Sequence, residues 1–363
     1  MTTIVKAAGA AEFLSLVPRL LGCSPTESLV VVPMSRGRTL GAMRVDLPPD
    51  DADVDAVASS IVGMVCRIPQ ADALVAVVYT VASARRGLPG AELVQALRHS
   101  SDACGLDVLD AMTVAGDGWG SHLDERMPPG GHPLEEVQSR DDLGDQTSGA
   151  GLPPVDPPVT LGVEAALASL EVALSVLCGI PALGDQADRV DPAALEAACT
   201  LDDLPALYER ALGWDAAAIG PMRAAVLVWC LNRPSLRDVA IVQFASDRRG
   251  GDDALDAQRR WEDGAEYPVD LASIMWGEGP RPDADRLTAA LELTRQVAAM
   301  APAEHRAGPL AAAAWFAWAL GRSTHAAEYA AAARDIDRLH GLAEIVLSFV
   351  ASSHLPDWAF HRR

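Results

Sequence analysis

The chain has 363 residues, half of them hydrophobic, which is enough for two domains with separate cores rather than one very large domain. Against 50 Asp and Glu stand 29 Lys and Arg, for a formal charge of -21, and Lys6 is the only lysine. A field of that sign repels phosphate backbones and anionic lipid heads, so neither nucleic acid nor a membrane is expected as a partner.

Residues 10–22 (AAEFLSLVPRLLG) carry Phe13, Leu14, Val17, Leu20 and Leu21 at helical spacing, with Gly22 at the C-cap position and Pro18 as a weak point. Ser28–Val32 and Leu40–Leu47 are strand-like runs around the turn MSRGRT, a hairpin signal. Asp50, Asp51, Asp53 and Asp55 precede the apolar face Val57, Ile61, Val62 and Val65. Carboxylates in a first turn complement the helix dipole, which predicts a helix over 51–67. The run Ala73–Tyr79 reads as a buried strand, 90–104 as a helix with Leu93, Val94 and Leu97 inward, and Leu109–Ala115 as a further strand. Residues 1–126 are therefore expected to form an α/β domain with a mixed, mostly parallel sheet and crossover helices.

From 127 to 160 Gly, Pro, Asp and Ser are dense, and a linker or mobile loop is expected. Residues 161–363 read as a helical domain, with Val239–Phe244 ambiguous and 247–283 a charged, Gly-rich loop around a short helix holding Trp261. At its end Pro309 suits a first helical turn, and Leu310, Ala313, Ala314, Ala317, Trp318 and Leu320 form a close-packing face. Gly321 breaks that helix, and Ala326, Tyr329, Ala330 and Ala333 give the next one a small-residue face. The spacing resembles the second half of a tetratricopeptide repeat over about one repeat, 309–350, so the fold is expected to be α/β plus all-α, ending in a tetratricopeptide-like hairpin. An ordinary helical hairpin is the alternative.

Cys23, Cys66, Cys104, Cys178, Cys199 and Cys230 are scattered without a Cys-x-x-Cys pair and read as small buried hydrophobes in a reducing compartment. The apolar run Ile4–Leu21 is interrupted by Glu12 and Arg19, and no other stretch is expected to reach the length needed to span a bilayer, so a cytoplasmic location is expected. Gly116–His122 (GDGWGSH) follows a strand, but Met127-Pro128-Pro129-Gly130-Gly131 comes next where a dinucleotide fingerprint needs a helix N-terminus. The same stretch nevertheless gathers Asp117, Trp119, Ser121, His122, Asp124 and His132 near strand ends, where α/β sheets place ligands. Those residues are the candidate ligand site. No catalytic, cofactor or metal motif is recognised, so no cofactor and no metal are expected; Arg233, Arg237 and Asp238 in NRPSLRDVA read as a structural ion-pair group.

AEFLSLVPRLLGCSPTESLVVVPMSRGRTLGAMRVDLPP, GWGSHLDERMPPGGHPL, LNRPSLRDVA and LAAAAWFAWALGRSTHAAEYAAAARDID, in this order, resemble a family of uncharacterised actinobacterial proteins carrying a domain of unknown function. The resemblance supplies no activity. Relatives often carry cysteines in W-x-S-Y-x-C followed by C-C-P-P-x-G-x-P; here Trp119, Ser121, Pro128, Pro129, Gly131 and Pro133 match while Asp124, Arg126 and Met127 stand at the cysteine places. The resemblance thus implies that a thiolate site conceivable in those relatives is not formed here.

Two functions remain. One is a non-enzymatic interaction or regulatory protein binding a protein or peptide partner through its helical domain, which the Trp-rich helices favour. The other is a small-ligand-binding protein or enzyme using a cleft near residues 116–132.

Overall fold

The computed structural model describes residues 9–137, 143–179 and 190–360; Ile4 and its neighbours in the N-terminal run, and 138–142 of the expected linker, lie outside the described residues. Tertiary contacts divide the chain into two compact units, Met1–Ser148 and Gly149–Arg363.

The first unit is built from β1 (Ser28–Ser35), β2 (Arg38–Thr39), β3 (Met43–Asp46), β4 (Ala73–Tyr79), β5 (Asp107–Val114) and β6 (Trp119–Ser121), with helices α1 (Ala10–Leu21), α2 (Val54–Cys66) and α3 (Ala91–Cys104). The sheet runs β2–β1–β4–β5–β6, and β3 also lies on β1. The β1–β2 hairpin turns at Arg36 and Gly37, both at positive φ (49° and 73°), as a two-residue turn between twisted strands requires. β1 and β4 are buried on both faces, which is why they read as continuous apolar runs. On one face Val30, Val32, Val75, Val77, Met112 and Trp119 meet Leu14 and Val17 of α1. The alternate residues Leu29, Val31, Leu74, Ala76 and Val78 are equally buried and point to the opposite face, where α2 and α3 pack on each other and α3 on β5.

The sheet is mixed. β3, β4 and β5 run in one direction, yet β4–β5 is the one parallel pairing among the described strands, because β1 enters between β3 and β4 antiparallel to both. The expected preponderance of parallel strands thus holds for direction and not for neighbours. A hairpin and a crossover leave the same sequence pattern whichever edge of β1 the next strand takes.

The second unit is helical: α4 (Pro157–Leu177), α5 (Pro192–Cys199), α6 (Leu204–Leu212), α7 (Pro221–Leu231), α8 (Pro234–Ala245), α9 (Arg248–Glu262), α10 (Val269–Met275), α11 (Ala284–Met300), α12 (Ala307–Ala319), α13 (Ser323–Ile336) and α14 (Gly341–Ala351). Part of the acidic surplus serves the helix starts, since Asp53, Asp191, Asp203, Asp247 and Asp283 each accept a backbone N–H as N-cap. Five helices, α4 to α8, carry proline at their first or second position and α12 carries Pro309 at its third, where a missing N–H costs nothing. One core spans α4 to α14, from Val163 to Phe349 and on to Trp358. α12 is buried all round; α13 lays Ala326, Tyr329, Ala330 and Ala333 on it, and α14 packs against both.

Several sequence expectations change here. Residues 248–262 form a full helix instead of a loop: Asp247 caps it, and Gly250 and Gly251 leave the space that the side chains of Ser246 and Gln243 occupy. Val239–Phe244 lies inside α8, where burial all round had removed the helical period. By length and composition α4 does reach the span of a bilayer, the one described helix to do so, although Val163, Leu167 and Leu170 on it face the core. Of the cysteines only Cys230 is buried; Cys66, Cys104, Cys178 and Cys199 are exposed at or just past helix ends, which periodicity does not register.

Candidate ligand cleft

The β5–β6 hairpin carries the expected site, and its glycines are explained by contact between backbones. A Cβ on Gly118 would stand 2.3 Å from the Gly130 carbonyl, and one on Gly131 2.6 Å from that of Trp119. Trp119 and His132 exchange two main-chain hydrogen bonds (2.9 and 2.7 Å), and their rings stack with centroids 4.7 Å apart. The Gly-x-Gly-x-Gly pattern therefore seats residues 130–132 on β6.

Strand alternation then sorts the candidates. Trp119 and Ser121 point to the α1 face and line a cleft of roughly 370 Å³ with Ala10, Leu109, Asp110, Leu123, Asp124 and His132. Ser121 donates its hydroxyl to Asp110 Oδ1 (2.5 Å) and accepts the Leu123 N–H (3.0 Å). Asp110 Oδ1 also accepts the Ala111 N–H at 2.8 Å, and Asp124 Oδ1 accepts that of Arg126 at 2.8 Å. The Oδ2 atoms of both aspartates carry no hydrogen bond from the described residues, so each carboxylate keeps an oxygen for a ligand. Leu109 and Leu123 are exposed apolar walls, while the Trp119 indole is buried and donates to the Pro133 carbonyl (3.1 Å).

His122, one residue beyond Ser121, goes to the other face. Its Nε2 lies 2.8 Å from the Thr113 hydroxyl, which donates to the Pro89 carbonyl at 2.9 Å. Since the threonine's one hydrogen is committed, the imidazole carries its own on Nε2. Burial pushes its pKa below the ordinary 6.5, with Asp110 opposing. Asp117 sits in the hairpin turn and accepts Ser83 Oγ (2.6 Å) and the Ala84 N–H (2.7 Å); these bonds, with Arg85 beside it, hold its carboxyl below the usual range. Of the six candidates, Trp119, Ser121, Asp124 and His132 share the cleft, whereas His122 and Asp117 brace the hairpin that carries it.

Asp110, Leu109, Leu123 and Ala10 escaped the sequence reading. An aspartate in the otherwise apolar stretch Leu109–Val114 was the available signal, because a strand buries such a group only with partners. In the helical unit Arg237 is buried and pairs with Asp238 (2.8 Å), while Arg233 lies over the Trp229 ring at 3.5 Å. Asn232 donates to the Val228 and His305 carbonyls (2.9 and 2.8 Å) and accepts the Gly308 N–H (3.1 Å), joining the end of α7 to the start of α12. The conspicuous NRPSLRDVA segment is structural.

A mixed-sheet unit with an acidic cleft, followed by a helical unit, is the class of protein these features define. The model of a family described as a domain of unknown function, DUF4192, matches residues 11–265, and the chain belongs to that family. Neither a curated protein nor a solved structure matches it.

Proposed function

We propose that the first unit binds a small organic cation, an alkylammonium or guanidinium compound, in the cleft on the α1 face of the sheet. The observation that carries this reading is the pair Asp110 and Asp124, each with one carboxylate oxygen unengaged, between the apolar walls Leu109 and Leu123. Two acceptors with apolar flanks suit a charged amine on a short hydrocarbon body, and the volume lies within the range of small-molecule sites. The net charge of -21 draws cations toward the surface. Ser121 fixes Asp110 in place, its hydroxyl committed to that carboxylate, while His122 lies on the far face of the sheet; binding is favoured over acyl transfer. A cytoplasmic location and an actinobacterial source accompany this reading, supported by the Ala- and Arg-rich, Lys-poor composition and by the core-facing side of α4.

Calorimetric titration with putrescine, agmatine and arginine amide, and with succinate as the anionic control, tests it. At least one cation should bind, and Asp110→Asn or Asp124→Asn should weaken it about tenfold or more, as loss of a charge-assisted hydrogen bond implies. Absence of cation binding, or binding indifferent to both substitutions, defeats the proposal. A second reading, contact with a protein or peptide through the helical unit, is supported by the half-exposed Trp261 and Trp276 and the exposed Val269. It would leave the Asp110 and Asp124 variants silent and place the effect on Trp261→Ala and Trp276→Ala.

A further inference from the structure

Cys66 and Cys104 stand apart from the other cysteines because they meet. α2 and α3 lie side by side, and the register of their outer edge is set by the Ser59 and Ser100 hydroxyls, 3.3 Å apart. Seven residues on from Ser59 and four on from Ser100, the same edge ends in Cys66 and Cys104, each the last residue of its helix and each exposed, with Cys104 among the groups that act on the Cys66 thiol. We infer that Cys66 and Cys104 form a dithiol site that a low-molecular-weight disulfide oxidises reversibly to an intramolecular disulfide.

The position favours closure. Packed helix axes stand about 8–10 Å apart and Cα atoms lie about 2.3 Å off each axis, so facing positions come near the roughly 4.4–6.8 Å Cα separation that a disulfide asks for. Terminal residues yield most readily, and Gly105, at φ 72° directly after Cys104, gives that end of the chain its freedom. Burial pushes the pKa of the Cys66 thiol up, and the neighbouring Cys104 adds to the shift. Cys104, the sulfur beside the freely turning Gly105, attacks first. Its thiolate displaces one thiolate from the small disulfide and leaves a mixed disulfide on Cys104. Cys66 then gives up its proton and attacks the Cys104 sulfur, expelling the second thiolate. Two protein thiols and one small disulfide become one protein disulfide and two small thiols, and excess small thiol reverses the exchange.

Full-length protein is incubated with oxidised glutathione, quenched with acid, digested without reduction and mapped by mass spectrometry. The expected product is a peptide joining Cys66 to Cys104, about 2 Da lighter than the two thiol peptides together, and lost on adding reduced glutathione. Cys178 and Cys199, exposed elsewhere, serve as internal controls and should carry glutathione adducts. In Cys66→Ser the adduct should persist on Cys104. Recovery of Cys66 and Cys104 in the wild-type chain only as separate adducts or free thiols overturns the inference, and so does a link that appears only in urea-unfolded chain. Neither result bears on cation binding.

Discussion

Replacing Trp318 with alanine should remove a large part of the stability of the helical unit. The side chain is fully buried, its ring lies 4.5 Å from Phe349, 6.0 Å from Trp315 and 6.5 Å from Trp358, and its Nε1–H donates to the His354 carbonyl at 2.8 Å. Truncation of a buried tryptophan costs about 3–5 kcal/mol through lost transfer energy and the cavity left behind. Collapse into that cavity is hindered, since Gly277 and Pro356 already close on the ring's far edge, where a Cβ on Gly277 would stand 2.5 Å from it. The upper part of the range is therefore expected, against a total of about 5–15 kcal/mol for an ordinary domain. Trp318→Phe separates packing from polarity: it keeps most of the apolar contact and leaves the His354 carbonyl without its donor, a loss of about 1 kcal/mol. Urea unfolding followed by far-ultraviolet circular dichroism reads both, because most helix lies in this unit. A Trp318→Ala shift below about 1 kcal/mol, or equal shifts for the two variants, would refute the reasoning, since burial on this scale cannot be that cheap.

Two further expectations concern acid. Glu209 accepts two hydrogen bonds from Arg286 (2.6 and 2.9 Å) and one from Gln243, and the guanidinium holds its carboxyl below the ordinary value of 4.5. Because the folded pKa is depressed, this stabilisation is complete above that value and disappears as pH falls through the lower, folded one. Glu209→Gln should destabilise the protein at neutral pH and match the wild type in strong acid; acid unfolding curves that stay parallel throughout would contradict it. His122, depressed by burial, should titrate below 6.5 by proton NMR, with its contribution present above 6.5 and lost on further acidification; a midpoint at or above 6.5 is the contrary result.

The elements that declared themselves in the sequence are those whose burial is one-sided or whose ends are marked. α1 shows its stripe and its Gly22 cap, α2 its Asp53 cap, and the β1 hairpin its Arg36–Gly37 turn. α9 hid because it is so polar that its glycines and charges resembled a loop, whereas α8 was read as helical and only its fully buried stretch Val239–Phe244 was ambiguous. At the cleft, the stretch of chain was legible and the membership was not. Strand parity alone separates Trp119 and Ser121 from His122, and it follows from the period of two once β6 is recognised as a strand. Asp110 joins them from β5 through the β5–β6 register, which puts Met112 opposite Ser121 and depends on the turn between them.

The join at Asn232 bears on how the family segment can be inherited. Matching residues stop at 265, after α9, yet the amide of Asn232 is satisfied by His305 and Gly308, and Phe244 rests against Phe316 with ring centroids 5.8 Å apart. A chain ended at 265 would strip α11 and α12 from α7 and α8 and turn Phe244 and its neighbours toward water, an apolar patch of the kind that drives aggregation. The last hundred or so residues are thus free to vary in sequence only within a volume the first part dictates. A replacement for the stretch beyond that border would have to arrive already shaped to it.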